Sequence, residues 1–275
     1  MIPAAFDFHR ADTADAALAL LAEHGDEAKL LAGGHSLLPM MKLRLATPAV
    51  LIGVGRIEEL SYIRADDEHI AVGALTRHQD LVTSALLREQ VPLLAHVAGL
   101  VGDLQVRHRG TLGGSLVHGD PAADLPAAVL ALDATLVIRG PAGTRAVPAD
   151  EFFTGFLETV VGPEEMLIEV RIPSMPGAGW AYEKFTRRAN DWAIVAVAAA
   201  GGRLALANMA GTPVRATETE QALAAGGSID EAAHLADRGL AGEPPEDMHG
   251  DRAYRRHLAR VLTGRALRTA QERVG

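Results

Sequence analysis

The chain has 275 residues, 48% of them apolar, and a formal net charge of −9. It is long enough to bury a substantial core divided between two or three subdomains. The acidic balance, with no basic run, argues against nucleic acid or an anionic membrane as its main partner, and the absence of cysteine excludes disulfides, thiolate catalysis, iron–sulfur ligation by this chain and a Cys-based zinc site.

The opening Met-Ile-Pro-Ala-Ala-Phe-Asp-Phe-His-Arg has no basic segment leading into a long apolar stretch, so no signal peptide is expected and cytoplasmic residence follows by default. The spacing predicts a helix over 13–24, with Thr13 as N-cap, Ala16, Leu20 and Leu21 on its apolar side and Gly25 as the stop. It should pack beside a strand over 28–31. That strand runs into Lys29-Leu-Leu-Ala-Gly-Gly-His-Ser36, after which a helix is predicted over 37–45, with His35 and Ser36 at the N-cap and Pro39 near its start. A buried strand over 50–54 and a helical turn over 57–60 close a small N-terminal α+β unit.

A strand over 69–75 follows, then a helix beginning at Thr76 with Leu81, Leu86 and Leu87 on one face, and a second helix from Pro92 carrying Leu94, Val97, Ala98 and Val101 toward the core. Residues 105–110 enter a second glycine segment, Gly110-Thr-Leu-Gly-Gly-Ser115. The run Asp120-Pro-Ala-Ala-Asp-Leu-Pro126 reads as a turn and helix start, and strands are predicted over 135–139 and 166–172. Beyond a proline- and glycine-bearing connector at 173–179, strands over 180–186, 192–200 and 203–209 alternate as an antiparallel meander. Helices over 217–225, 229–240 and 254–272 should form a layer on it. The apolar stretch 192–200 is too short to span a bilayer, so no transmembrane segment is expected.

Each glycine segment sets adjacent glycines and a small hydroxyl residue beside an apolar run, where backbone N–H groups can converge on an anion that a Cβ would obstruct. Alone, the first fits an ordinary strand-turn-helix connection capped by Ser36 equally well. Together the two suggest a cradle for the diphosphate of an anionic dinucleotide. Lysine occurs only as Lys29, Lys42 and Lys184, and two of these flank the first segment. His35, His108 and His118 lack the helical spacing of a metal site, so no metal is expected. Gly53-Val-Gly-Arg-Ile-Glu-Glu lacks the third glycine of a nicotinamide-binding fingerprint.

With both glycine motifs, the Asp120-Pro-Ala-Ala-Asp124 turn, Tyr182-Glu-Lys-Phe185 and Asp251-Arg-Ala-Tyr-Arg-Arg256 in this order, the chain resembles the FAD-binding medium subunits of molybdenum hydroxylases, the group of aerobic carbon monoxide dehydrogenase and xanthine dehydrogenase. The resemblance spans essentially the whole length. It implies an α+β fold: a two-part FAD-binding domain of the PCMH/vanillyl-alcohol-oxidase-like type over 1–60 and 61–174, and a C-terminal domain of antiparallel sheet and helices over 175–275. It also implies that Ala32, Gly33, Gly34, His35 and Ser36 wrap the FAD diphosphate from one side and Thr111, Leu112, Gly113, Gly114 and Ser115 from the other. Lys29, Leu31, Leu37, Val101 and Leu167 complete the implied cofactor-binding set, with Asp124 near the cofactor and Lys184 facing the flavin. Trp192 stands where relatives often place a tyrosine near the isoalloxazine ring.

In function, the resemblance implies an electron-transfer subunit with non-covalent FAD and no catalytic acid or base of its own. A large partner subunit would carry molybdenum–pterin and a small one [2Fe–2S] clusters, assembled as a dimer of heterotrimers, with electrons leaving this chain to an external acceptor. Carbon monoxide, an N-heterocycle and an aldehyde are all compatible substrates of such an assembly. Gly-Gly-His-Ser also resembles the loop of a second flavoprotein group, which gives the alternative of a stand-alone oxidase with FAD attached covalently through His35.

Overall fold

The computed structural model describes residues 2–66 and 68–274; Met1, Asp67 and Gly275, which the expected divisions include, lie outside the described residues. The chain begins with β1 (Asp7–Arg10), α1 (Ala14–His24), β2 (Ala28–Leu31), α2 (Leu37–Lys42) and β3 (Val50–Gly53), whose strands form a parallel sheet in the order β1-β3-β2. Helix α1 starts where expected because the Thr13 side chain accepts from the Ala16 N–H at 3.1 Å, and it stops at Gly25, whose φ of +52° suits glycine. Its buried stripe is Ala14, Ala17 and Leu21, while Ala16 faces solvent. The helix expected over 37–45 ends at Lys42. The Leu45 and Ala46 N–H groups both fold back on the Met40 carbonyl, and Arg44 takes a left-handed φ of +61°. Strand β1 was not expected, because an exposed edge strand carries no alternation of apolar residues.

The second portion contains β4 (Ile63–Ala65), β5 (His69–Gly73), α3 (His78–Thr83), α4 (Ala85–Gln90), α5 (Pro92–Gly99), α6 (Leu104–Arg107), α7 (Leu112–His118), α8 (Asp124–Ala131), β6 (Thr135–Gly140), β7 (Gly143–Pro148), α9 (Ala149–Phe152), β8 (Phe153–Gly155), β9 (Glu158–Thr159) and β10 (Met166–Pro173). Five strands pair antiparallel in the order β4-β5-β10-β6-β7, with β8 and β9 as a separate hairpin. The helix expected from Thr76 begins two residues later, since the buried Thr76 hydroxyl is bonded to both backbone groups of Tyr62. Ser84 divides it in two by capping α4 through the Leu87 N–H at 3.2 Å. Every residue of α8 is buried, because α8 lies between α5 and the C-terminal sheet.

That sheet comprises β11 (Trp180–Phe185), β12 (Val195–Ala200), β13 (Arg203–Ala207) and β14 (Val214–Arg215), antiparallel in chain order, followed by α10 (Thr217–Ala224), α11 (Ile229–Ala233) and α12 (Arg252–Glu272). In β12 the period of two sends Ala196, Ala198 and Ala200 toward the α8 core, and Val195, Val197 and Ala199 toward the α12 core. Burial on both faces explains its unbroken apolar run. The strand expected from 192 starts only at Val195, and the helix expected over 229–240 ends at Ala233. Fully buried Arg255 of α12 donates to the Ile194 carbonyl and, at 2.7 Å, to Asp247. Asn208 donates to the Ala193 carbonyl at 2.8 Å, so two elements anchor the end of the segment that carries Trp192.

Candidate functional site

A cleft of about 800 Å³ runs along the parallel sheet, the helices over the five-stranded sheet and the edge of the C-terminal sheet, and residues from all three line it. This is toward the upper end of small-molecule sites, roughly 300–1,000 Å³. The first glycine loop forms one wall. Gly33 is pressed against the second loop, where a Cβ would come within 2.3 Å of the Arg109 carbonyl oxygen, and Gly34 has a φ of +79°. The backbone N–H groups of Gly33, Gly34, His35, Ser36 and Leu37 donate to no acceptor among the described residues. Ser36, expected to cap α2, has helical backbone angles and makes no capping bond. Five successive donors therefore remain open in a loop that lines the cleft.

The second loop differs. Its Thr111 side chain caps α7 by accepting from the Gly114 N–H at 3.1 Å, and the Ser115 N–H bonds the Thr111 carbonyl at 3.1 Å. The Leu112 N–H reaches the Thr76 carbonyl at 3.0 Å, and the Gly113 N–H the Ala74 carbonyl at 2.8 Å. Here the glycines serve close packing: a Cβ on Gly113 would lie 2.6 Å from that of Ala74, and one on Gly110 would lie 2.6 Å from the His78 ring. Leu112 does not line the cleft. Its side chain is wholly buried in the core and its amide is spent on Thr76, so the wrapping role expected of it is not supported by its position. Arg77 ties the approach to the second loop to the turn after β3, donating to the Arg109 carbonyl and to the Gly55 carbonyl at 2.9 Å.

Opposite the loops, Asp124 at the start of α8 meets two side chains of β11. Tyr182 and Lys184 are two residues apart and so share a face of the strand. The Tyr182 hydroxyl donates to Oδ1 of Asp124 at 2.7 Å and the Lys184 ammonium to Oδ2 at 2.9 Å. The Lys184 and Asp124 side chains are only 9% and 7% exposed, yet both line the cleft. Burial pushes the Asp124 carboxyl above its usual range, an effect the Lys184 ammonium and the Tyr182 hydroxyl oppose. Burial, together with Asp124, raises the Tyr182 phenol well above its ordinary value, so it stays a donor.

Lys29, Leu31, Ala32, Leu37, Val101, Gly113, Gly114, Ser115 and Leu167 also line the cleft, as does Trp192, which is 68% exposed on the segment before β12. Lys42 and His108 lie outside it, while His118 is in its wall. Sequence reasoning missed three residues. Tyr182 acts on Asp124 through its hydroxyl, Arg77 holds the backbone at Arg109 next to Gly110, and His78 lines the cleft beside Gly110 although only 4% exposed. Burial, with His35 and two arginines nearby, lowers the His78 pKa to about 4. No motif marks Arg77 or His78; Tyr182 opens the Tyr182-Glu-Lys-Phe185 motif, and its alternation with Lys184 was the signal that could have assigned it a role.

Residues 4–175 match the family described as the FAD binding domain in molybdopterin dehydrogenase, and residues 180–270 match the CO dehydrogenase flavoprotein C-terminal domain. The chain belongs to the FAD-binding medium subunits of the molybdenum hydroxylases. It is 43% identical to the carbon monoxide dehydrogenase medium chain of Hydrogenophaga pseudoflava across 99% of each chain. It is also 37% identical to the 6-hydroxypseudooxynicotine dehydrogenase complex subunit alpha of Paenarthrobacter nicotinovorans, across 99% of this chain and 97% of that one. A solved structure of carbon monoxide dehydrogenase from Hydrogenophaga pseudoflava superposes with a TM-score of 0.95 at 43% identity, covering all of both chains. This medium subunit is thus a flavoprotein component of an oxidoreductase, with an α+β fold of FAD-binding and C-terminal domains. Its residues fit FAD: a glycine cradle that a Cβ would fill, a run of open amides for a diphosphate, and a cleft with room for a dinucleotide. Near full-length agreement with medium chains does not favour the stand-alone oxidase with FAD on His35.

Proposed function

We propose that this medium subunit holds FAD non-covalently and passes electrons from the [2Fe–2S] clusters of a small partner subunit to an external acceptor, while a large molybdenum–pterin subunit oxidises the substrate. When bound, FAD supplies the ability to take up two electrons and release them one at a time. The observation that carries the reading is the five open amides of the first loop facing the same cleft as the buried Asp124–Lys184 pair. The amides hold the diphosphate. Asp124 and Tyr182 fix the Lys184 ammonium at the cleft wall, where little water screens it, and there it raises the affinity of the bound ring for electrons. Leu31, Val101 and Leu167 supply apolar wall and exclude water, and Trp192 shields the open side. No side chain here needs to act as acid or base, and a chain without cysteine leaves cluster binding to a partner.

Residues 1–60, 61–174 and 175–275 form the structural units of this reading, and the assembly is a cytoplasmic dimer of heterotrimers. Among the described residues no helix is long and apolar enough to cross a membrane. The test is a visible spectrum of the purified protein before and after acid precipitation. Yellow flavin released to the supernatant is the expected result. Colour retained in the pellet transfers support to attachment at His35, and no flavin after reconstitution overturns the FAD assignment. Substrate oxidation by this chain alone removes the relay.

A further inference from the structure

We propose that His78 is a further FAD-binding residue, a neutral imidazole whose Nε2–H donates a hydrogen bond at the junction of the two glycine loops. The inference rests on the FAD assignment above and extends it to a side chain outside both motifs. The His78 backbone is pinned to the second loop, its N–H bonding the Gly110 carbonyl at 3.0 Å. Its ring lies against Gly110, where a Cβ would sit 2.6 Å from Cδ2 and 2.7 Å from Nε2. A Cβ on Gly33 would in turn lie 2.9 Å from the Gly110 Cα, so the imidazole stands where the two loops touch, and it forms part of the cleft wall.

The two ring nitrogens are in different positions. Nδ1 is buried with no hydrogen-bond partner, whereas Nε2 is not sealed off and no described residue engages it. A buried lone pair without a partner is tolerated better than a buried N–H without one. The proton therefore belongs on Nε2, which becomes a donor that nothing in the chain consumes. Burial and the neighbouring His35, Arg77 and Arg107 keep the ring uncharged at neutral pH. An oxygen-rich anion held by the adjacent amides is the acceptor that matches this leftover donor.

The test compares His78→Gln, which keeps an N–H near the Nε2 position, with His78→Leu, which fills the space without one. FAD affinity is measured in the full chain purified with the subunits that assemble with it. The expected result is Gln within about threefold of wild type and Leu weaker by about 10–100-fold. Equal affinity of the Leu variant overturns the role of His78 while leaving the FAD assignment intact; a wild type that takes up no FAD defeats both. A second measurement needs no loaded enzyme: nitrogen-15 NMR of the histidine rings in the full chain, assigned with the Gln variant. An Nε2–H tautomer unchanged between about pH 6 and 8, whose resonance moves on adding FAD, supports the proposal. An Nδ1–H tautomer, or an Nε2 signal indifferent to FAD, overturns it, and this arm decides should the Leu variant fail to fold.

Discussion

Gly33-Gly34 and Gly113-Gly114 are the same dipeptide near a small hydroxyl residue and a short apolar helix, the first just ahead of α2 and the second inside α7, and their amides have different fates. At the first loop five successive N–H groups stay open. At the second, the amides of residues 112–115 all bond within the chain, two to residues 74 and 76 and two to Thr111. Ser36 fails to cap and Thr111 caps. The glycines of the first loop thus make a backbone surface available to a ligand, while those of the second let the backbone approach Ala74 and His78 closely enough to build the floor beneath it. A glycine pair acquires its meaning from where the neighbouring hydrogen bonds go, which the dipeptide alone does not state.

If the wall opposite the first loop works by charge, the largest effect comes from removing that charge. Asp124→Ala leaves Lys184, 9% exposed, without its carboxylate and strips the Tyr182 hydroxyl of its acceptor. Breaking one side of a buried pair costs about 3–5 kcal/mol, so chemical denaturation should show a loss of that order. Replacing both Asp124 and Lys184 with apolar residues should recover much of it, and the double-mutant cycle isolates the pair. A loss below about 1 kcal/mol for Asp124→Ala would mean that the pair is solvated in solution like a surface salt bridge.

The glycines themselves come next. Gly113→Ala drives a Cβ to 2.6 Å from that of Ala74 and 2.7 Å from the Ala74 carbonyl oxygen, which overpacks the fold by about 1–3 kcal/mol. FAD affinity of the folded protein should barely change. Gly34→Ala, at a φ of +79°, adds about 1–2 kcal/mol of backbone strain and disturbs the open amides. For this variant FAD affinity should fall by about tenfold or more, roughly the equivalent of one charge-assisted hydrogen bond. Urea melts paired with flavin titration separate the two outcomes. Equal loss of FAD from both variants would erase the distinction between the loops.

Local signals account for the elements that were legible in the sequence. Thr13 and Gly25 bound α1 because capping and a left-handed stop act within one turn of chain, and 28–31 forms the strand expected from its apolar run. The antiparallel meander followed from three apolar runs separated by turn residues. Strands β1 and β7 were invisible, since both are largely exposed edge strands of their sheets and carry no burial pattern to read. The motifs pointed to the cleft, but Leu112 inside one motif turned into the core, while His78, outside every motif, came to its wall. Which residue of a loop faces a ligand depends on partners distant in sequence. Thr76 takes the Leu112 amide and Gly110 takes that of His78.

The finest test lies at Thr111, where capping and ligand contact make opposite predictions. Its hydroxyl is 2% exposed with its residue and accepts from the Gly114 N–H. Thr111→Val keeps the branched shape and removes that acceptor, which should cost about 1 kcal/mol, the usual worth of an N-cap, and Thr111→Ser should restore it. In the Val variant the Gly114 amide loses its internal partner and joins the donors open toward the cleft. FAD affinity should therefore hold or rise slightly while thermal stability falls. The reverse result, a loss of FAD affinity by about tenfold at unchanged stability, would mean that the Thr111 hydroxyl grips the ligand directly and that the second loop, like the first, is a cradle rather than a floor.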